Sequence, residues 1–248
     1  MDRLWPFVLG LVVVVGGVLA IRSYVLERRR VEGLAGFAAS KGWQYWPEDD
    51  GLANRWGGEP FGRGDDRRVR HVLSGTDRGS PVVAFDYSYV TESTDSKGHT
   101  TRTTHRYAVA VLGLPTVLPT LQVVPEGLLR RAAGALGFGN DIELESEDFN
   151  RRFTVTARDP KFASDVLTPR RMEVLLRTPA RAWRIEGSEV ICWDDGTCTP
   201  VDVLARLALL RGVVDGIPGF VWHDNGVASD NGLSRDNGPV PPTEGGAS

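Results

Sequence analysis

The chain has 248 residues, of which 41% are hydrophobic and 25% are charged, and its formal net charge is −3. This composition is typical of a folded protein of one or two domains and argues against a wholly disordered chain. The near-neutral balance argues against a dedicated nucleic-acid binder, which would carry a clear basic excess, so no nucleic-acid partner is expected. Two cysteines are too few for a scaffold held together by disulfides.

An uncharged apolar run over Leu4–Ile21 is the strongest signal in the sequence. As a helix it would be about 27 Å long, which approaches the hydrocarbon thickness of a bilayer. Trp5 and Tyr24 stand near its two ends, where amphipathic rings prefer the membrane interface. We therefore predict that residues 1–30 form a transmembrane anchor with a basic flank, in which residues 4–26 contact the lipid bilayer.

The arginines around this run predict its orientation. Arg3 precedes the run, whereas Arg22 and Arg28–Arg30 follow it. Because basic residues stay on the cytoplasmic side, we predict a single-pass protein of the cell membrane, with its N-terminus outside and its C-terminal domain in the cytoplasm. A signal peptide cleaved near Ala20 is the alternative, and the basic flank behind the run argues against it.

Residues 31–222 are predicted to form one α+β domain, with a mostly antiparallel sheet, packed helices and a C-terminal helix. The N-terminal helix is expected to continue through Val31 and to end at Gly42. Segments rich in Val, Tyr and Phe, bounded by Gly, Pro, Ser or Asp, then predict strands. These strands cover residues 68–73, 81–90, 104–112 and 120–124.

Helices and strands mix in the second half of this domain. The predicted elements are a helix over 126–136, a strand over 152–157, helices over 160–167 and 169–176, a hairpin of strands 182–185 and 189–193 across Gly187-Ser188, and a helix over 199–216. A strongly bent sheet closed by the last helix, similar to a pleckstrin-homology-like barrel, is one arrangement that this order allows. Residues 223–248 are rich in Gly, Pro, Ser and Asn and are predicted to be disordered.

Several apolar and aromatic motifs of the domain carry a resemblance to known proteins. They are Phe85–Tyr89, Leu121–Pro125, Asp148–Val155, Arg171-Met172 with Leu175-Leu176, and Ile217–Trp222. Together they resemble a family of bacterial membrane-anchored proteins of unknown function, over roughly residues 32–222. The resemblance implies a single N-terminal transmembrane helix followed by an α+β domain, and it implies no activity, cofactor or site residue.

An alternating acidic segment is one candidate for chemistry. Carboxylates stand at every second position, at Asp141, Glu143, Glu145 and Glu147. On a strand they would line one face about 7 Å apart, where they could hold a cation or act as an acid and base pair. The alternative is a solvated edge that faces Arg151 and Arg152, and the lack of a defined cleft favours it.

The cysteines and histidines give weaker signals. Cys192 and Cys198 enclose five residues, which is not the spacing of a zinc site, and no second cysteine pair exists. We expect two separate thiols rather than a disulfide, which would need an exported domain. His99 and His105 lie six residues apart around a mobile loop, where a metal site would be poorly organised; the alternative is a solvent-exposed hairpin tip. No catalytic, metal-binding or cofactor-binding residue is assigned, and no cofactor is expected.

Residues 91–105 are predicted to form a polar loop between two strands. Eight Ser or Thr residues leave this loop too polar to pack, with Gly98 at its middle. Loops held on a rigid sheet commonly carry recognition. We identify this loop as the candidate contact surface for a protein partner, the alternative being an inert loop.

These observations favour a non-enzymatic binding or scaffolding module at the cytoplasmic surface of the membrane. No nucleophile, base and orienting partner can be named together. The alternative is a membrane-anchored hydrolase or metal-dependent enzyme that uses the acidic strand 141–147. A third class, a membrane-lipid binder, would need Arg28–Arg30 and a basic patch of the domain to lie on one plane.

Overall fold

The computed structural model of the chain describes residues 5–131 and 140–226, with side chains described over 14–128 and 141–226. It shows an α+β fold with a mostly antiparallel sheet and several helices, as the sequence predicts. The part of the predicted helix beyond Arg131 and the part of the predicted disordered tail beyond residue 226 lie outside the described residues. The prediction of a disordered tail from residue 223 is wrong at its start, because His223 and Asp224 belong to a helix over Gly219–Asp224.

A single helix, α1 (Trp5–Ser40), begins the described chain. It runs without a break from the apolar segment into the domain, and Gly42 terminates it in the left-handed region with a φ of 69°. Leu34 and Ala38 are buried near its C-terminal end. Within the part of the chain whose side chains are described, no helix has a stretch long and apolar enough to cross a bilayer. The side chains of residues 4–13, within the predicted span, lie outside that part.

Seven strands form the sheet within residues 5–131 and 140–226. They are β1 (Gln44–Glu48), β2 (Asp65–Asp77), β3 (Ser80–Thr94), β4 (Thr100–Pro125), β5 (Asn140–Asp141), β6 (Phe153–Ala157) and β7 (Ala182–Asp195). The order is β1-β2-β3-β4-β6-β5, with β7 paired to β4. The ladder of the described strands is therefore an open path rather than a closed barrel. Pro47 lies in β1, which is tolerated because β1 is an edge strand.

The later helices are α2 (Glu126–Arg131), α3 (Glu147–Arg152), α4 (Pro160–Val166), α5 (Pro169–Arg177), α6 (Pro200–Asp215) and α7 (Gly219–Asp224). Proline occupies the first turn of α4, α5 and α6, where its missing N–H costs no intrahelical hydrogen bond. The Thr199 hydroxyl accepts a hydrogen bond from the Asp202 amide and so caps α6. The sequence did not indicate α3 or α7.

Strand β4 organises the sheet because it spans 26 residues and changes partner along its length. Its first half pairs with β3, and its second half pairs with β6 over Leu121–Pro125. The strands predicted over 104–112 and 120–124 are the two halves of this one strand. A shift of register between Gly113 and Leu118 separates them on the side that faces β7.

The hairpin predicted between 182–185 and 189–193 is wrong. Both segments belong to β7, which pairs with both halves of β4 and passes the register shift without turning back. Gly187 adopts a φ of 61° opposite Leu118, so the glycine that suggested a hairpin turn accommodates this irregularity instead. A continuous strand keeps backbone hydrogen bonds on both sides of the shift.

Both faces of the sheet are buried. On one face, α1 and α3–α6 cover a core that includes Leu34, Phe149, Met172 and Leu210. On the other face, the connection between β1 and β2 places Trp56 and Phe61 over the aromatic residues of the sheet. Trp56 stacks on Phe85 with ring centroids 5.5 Å apart. This second cover came from a segment that the sequence analysis left unassigned.

We predict that Leu210→Ala lowers the free energy of unfolding by about 2–5 kcal/mol, because Leu210 is fully buried in the helix-covered core and alanine would leave a cavity. Leu204→Ala on the same helix is the matched control, since Leu204 is 45% exposed and should cost at most about 0.5 kcal/mol. Urea unfolding of the full chain measures both values. Equal losses in the two variants would contradict this packing.

Candidate functional site

A polar cleft of about 490 Å³ lies between α1 and one end of the sheet. Helix α1 contributes Glu27 and Arg30 to its wall. Strands β2, β3 and β4 contribute side chains that include Arg68, Arg70, His71, Asp86, Ser88 and Arg106. The lining is therefore rich in charged and hydroxyl-bearing groups, which suits a polar ligand.

Arg30 and Asp86 join α1 to the sheet beside this cleft. The Arg30 Nη1 atom lies 2.9 Å from Asp86 Oδ2, and both side chains are 13% exposed. Arg30 also donates to the Cys198 carbonyl at 2.8 Å, while the Cys198 amide donates to Asp86 Oδ1 at 2.6 Å. Helix α1, strand β3 and the segment before α6 are thus held by one network of charge-assisted hydrogen bonds.

The pKa values around Arg30 reflect this pairing. Burial disfavours the charged form of Arg30, but the hydrogen bond to Glu27 and the charge of Asp86 together raise its pKa above the ordinary value. The same hydrogen bond from Arg30 lowers the pKa of Glu27. Arg30 and Glu27 are therefore charged at neutral pH, and each stabilises the charged form of the other.

His71 lies at a strained position of β2 in the same wall. Its backbone φ is 53°, in the left-handed region, at a register shift between Arg70 and Leu73. A bulge of this kind re-aims a side chain. The Tyr45 hydroxyl lies 2.8 Å from His71 Nδ1, and Glu27 Oε1 lies 3.6 Å from Nε2. These partners hold the imidazole at the cleft.

Burial lowers the pKa of His71, and the nearby charges of Arg30 and Arg70 add to this effect. Asp86 and Glu27 oppose it without reversing it. The imidazole is therefore neutral at neutral pH, and its Nδ1 atom can accept a hydrogen bond from the Tyr45 hydroxyl.

One row of polar residues crosses three strands at the cleft. Arg68 of β2 pairs in register with Ser88 of β3, and Ser88 pairs with Arg106 of β4. Residues directly opposite each other on neighbouring strands point to the same face. The row therefore places two guanidinium groups on either side of one hydroxyl.

The structure does not assemble the acidic segment into a site. Only Asp141 belongs to a strand, and Ser146 instead caps α3 by accepting a hydrogen bond from the Phe149 amide. All four carboxylates, at 141, 143, 145 and 147, are exposed, whereas Ile142 and Leu144 pack against the core. The prediction of a strand over the whole segment is wrong, because the helix cap ends the extended backbone. The four carboxylates lie on an open surface.

Cys192 and Cys198 are free thiols, and both are buried. Burial raises the pKa of Cys192 to about 12 and also raises that of Cys198. The Cys198 Sγ lies 3.4 Å from the Phe85 carbonyl oxygen. Thiols that are protonated and enclosed in this way are structural residues of the core. Among the residues that the structure describes, no three His, Cys, Asp or Glu side chains form a cluster that could hold a metal ion.

The predicted loop 91–105 is mostly a β-hairpin. Strand β3 continues to Thr94, and β4 starts at Thr100, so the turn is confined to residues 95–99. Threonine is common in strands because its branched side chain suits the pleated surface, and the sequence analysis gave too much weight to its polarity. The Asp95 carboxylate accepts hydrogen bonds from the amides of Lys97 and His99 and so orders the turn.

The sequence did not predict the cleft residues as a group. In the sequence, Arg30 belongs to the basic flank behind the apolar run, and Asp86 belongs to the aromatic motif Phe85–Tyr89. A charged residue between Phe85 and Tyr87, in the middle of an apolar strand, was a usable signal of a buried ion pair. Nothing in the sequence indicated that Arg30 was its partner, because 55 intervening residues separate them.

The fold and the cleft define an α+β domain with a polar cleft at the base of a long N-terminal helix. No family model matches the sequence, and no curated protein matches it. Among solved structures, the fold is similar to the crystal structure of the mycobacterial trehalose monomycolate transport factor A, TtfA. The TM-score is 0.54 with 17% identity, over 77% of this chain and 97% of that chain. At this identity the likeness shows the fold alone.

We predict that Arg30→Gln lowers the free energy of unfolding by about 3 kcal/mol, because it leaves Asp86 buried without its counter-charge. Arg28→Gln on the same helix is the control. The Arg28–Glu32 pair is 68% and 62% exposed, so its loss should cost at most about 0.5 kcal/mol. Urea unfolding measures both, and a small loss for Arg30→Gln would show that the pair does not join α1 to the sheet.

A second prediction concerns pH. The folded chain has a lowered pKa at His71, so it binds fewer protons than the unfolded chain as the pH falls through about 6.5. Stability is therefore lost on acidification, and His71→Asn should reduce that loss, since asparagine tolerates the left-handed backbone.

The measurement is urea unfolding at about pH 7.5 and at about pH 5, which lie on either side of the ordinary pKa of histidine. His99→Asn, which removes an exposed histidine in the hairpin turn, should retain the pH dependence of the parent chain. If His71→Asn and the parent chain lose stability equally, His71 does not contribute.

Proposed function

We propose that this chain is a single-pass membrane protein whose α+β domain is a non-enzymatic binding module at the cytoplasmic surface of the membrane. The polar cleft is its binding site. Membership of the bacterial membrane-anchored family that the sequence resembles is part of the same proposal. The observation that carries the proposal is the position of the cleft at the base of the apolar helix α1.

The anchor is supported by apolar side chains of α1 that have no cover. Val14, Val18, Leu19 and Ile21 are each more than half exposed. Leaving such residues in water forfeits the free energy that burial of apolar surface provides. A lipid bilayer covers such a helix on all sides, and the Trp5 and Tyr24 positions fit the two interfaces.

The distance from the anchor to the cleft supports a role at the membrane surface. Leu26 is 54% exposed, and Arg30 lies one helical turn beyond it, which is about 6 Å along the axis. Because Arg30 is tied to Asp86 and Cys198, the domain is held at a fixed place on α1. A bilayer that ends near Leu26 therefore lies close to the cleft.

Binding rather than catalysis is supported by the groups that the structure assembles. The two thiols are buried with raised pKa values, and the acidic segment is spread over an open surface. The structural neighbour is named as a transport factor, and a role without chemistry at this cleft is compatible with that name. The exposed hairpin at residues 91–105 is proposed as the contact surface for a protein partner.

The anchor predicts that the full chain sediments with membranes and resists extraction by alkaline carbonate. Val15→Asp combined with Leu19→Asp should move most of the chain to the soluble fraction, because each aspartate at the centre of a span costs about 3 kcal/mol. Val201→Asp on α6 is the control: Val201 is 75% exposed in the domain, and this variant should stay in the membrane. A parent chain in the soluble fraction would contradict the anchor.

The orientation predicts that a cysteine at position 97, in the hairpin turn, is protected from an impermeant maleimide in intact cells. The buried Cys192 and Cys198 should give little background, because thiolates are the reactive form and both pKa values are raised. Lys97→Cys should react only after the cells are opened. Reaction of Lys97→Cys in intact cells would contradict the proposed orientation and place the domain outside the cytoplasm.

A further inference from the structure

We infer that the polar cleft binds a phosphate group, carried either by a lipid headgroup or by a soluble phosphate ester. The inference rests on the proposed function, since it names the ligand class of the same cleft. Three features of the cleft support it. They are the charges that the cleft leaves available, the spacing of its hydrogen-bond donors and the position of the cleft relative to α1.

The charge balance of the cleft favours an anion. Its wall holds the guanidinium groups of Arg30, Arg68, Arg70 and Arg106 and the carboxylates of Glu27, Asp66 and Asp86. Arg30 pairs with two of these three carboxylates, at 2.6 Å from Glu27 and 2.9 Å from Asp86. Four guanidinium groups against three carboxylates give the wall a formal net charge of +1, and the arginines other than Arg30 face the ligand space.

Arg68 and Arg70 form solvent-exposed ion pairs. The Arg68–Asp66 pair is 51% and 48% exposed, and the Arg70–Glu48 pair is 48% and 61% exposed. Exposed pairs of this kind contribute little free energy, so a doubly charged anion can compete for them. Arg106 is exposed, and its charge acts on the Glu27 carboxylate across the cleft. Three guanidinium groups are therefore open to a ligand.

The spacing of the donors fits a phosphate. Arg68, Ser88 and Arg106 stand in register on three neighbouring strands, so the two arginine backbones are about 10 Å apart with the Ser88 hydroxyl between them. Extended arginine side chains can converge over that distance, and a guanidinium binds phosphate oxygens through two parallel hydrogen bonds. Thr104 adds a second hydroxyl to the same wall.

Other ligand classes fit less well. A metal ion or an organic cation would be repelled by the three available arginines. A largely apolar ligand would desolvate these arginines without giving them partners, which is costly. The volume of about 490 Å³ leaves room for a polar group beyond the phosphate.

The test uses the full chain in nanodiscs of phosphatidylcholine. One arm adds glycerol 3-phosphate to the solution, and the other arm includes a minority of phosphatidic acid in the bilayer. The measurement is the melting temperature of the domain, because a ligand that binds only the folded state raises it. Glycerol without phosphate and phosphatidylcholine alone are the blanks.

The variant that tests the cleft is Arg68→Gln combined with Arg106→Gln. Its matched control is Arg151→Gln combined with Arg177→Gln, which removes the same charge from exposed positions outside the cleft. We expect the concentration of glycerol 3-phosphate or phosphatidic acid that raises the melting temperature by a given amount to increase at least tenfold in the cleft variant. In the control variant this concentration should stay within twofold of the parent value. Because the replaced residues are exposed or half-exposed, the cleft variant should fold, and its melting temperature without ligand checks this.

Each outcome decides the inference. A rise with glycerol 3-phosphate that only the cleft variant loses supports a soluble phosphate ester, whereas a rise confined to phosphatidic acid supports a lipid headgroup. No rise in either arm, or an equal rise in the cleft variant and its control, overturns the phosphate site. Membrane sedimentation of the same variants is measured separately, so a failed anchor is distinguished from a failed cleft.

Discussion

The ion pair between Arg30 and Asp86 is the constraint on which the arrangement of helix and sheet depends. Two charges that are 13% exposed need each other, because either one alone would be buried without a counter-charge in a medium of low dielectric. The pair fixes the point at which α1 meets β3. It also holds the Cys198 backbone, from which α6 begins two residues later. The cleft, the start of α6 and the end of the apolar helix are positioned together as a result.

The cleft exists because β3 and β4 extend beyond the core that the helices cover. Along one face of β3, Val82 and Ala84 are buried, whereas Asp86 and Ser88 on the same face are only partly buried. The alternation of the strand is unchanged, but the face changes from apolar to polar where the helical cover ends. Past the cleft the same two strands continue into the exposed hairpin, so one strand pair carries core, cleft and hairpin.

Both candidate surfaces therefore stand on a rigid support. The opposite face of β3 is packed under Trp56 and Phe61, which limits how far the cleft wall can move. A site on a packed strand loses little entropy when it binds a ligand, because its side chains start from an ordered backbone. This arrangement suits the proposed recognition of a small polar group, and it is compatible with the proposed membrane anchor.

The sequence by itself determined the features that depend on local pattern. The α+β class, the continuous helix through Val31, the helices predicted over 160–167 and 169–176 and the strand over 81–90 all follow from periodicity and capping, which act over a few residues. It could not determine that 182–195 is one strand or that the acidic segment ends in a helix cap, since those outcomes depend on the partner strand and on competing hydrogen bonds. Only the tertiary structure decided the cleft, because Arg30, His71, Asp86 and Arg106 come from four separate elements and meet through strand register and one buried ion pair.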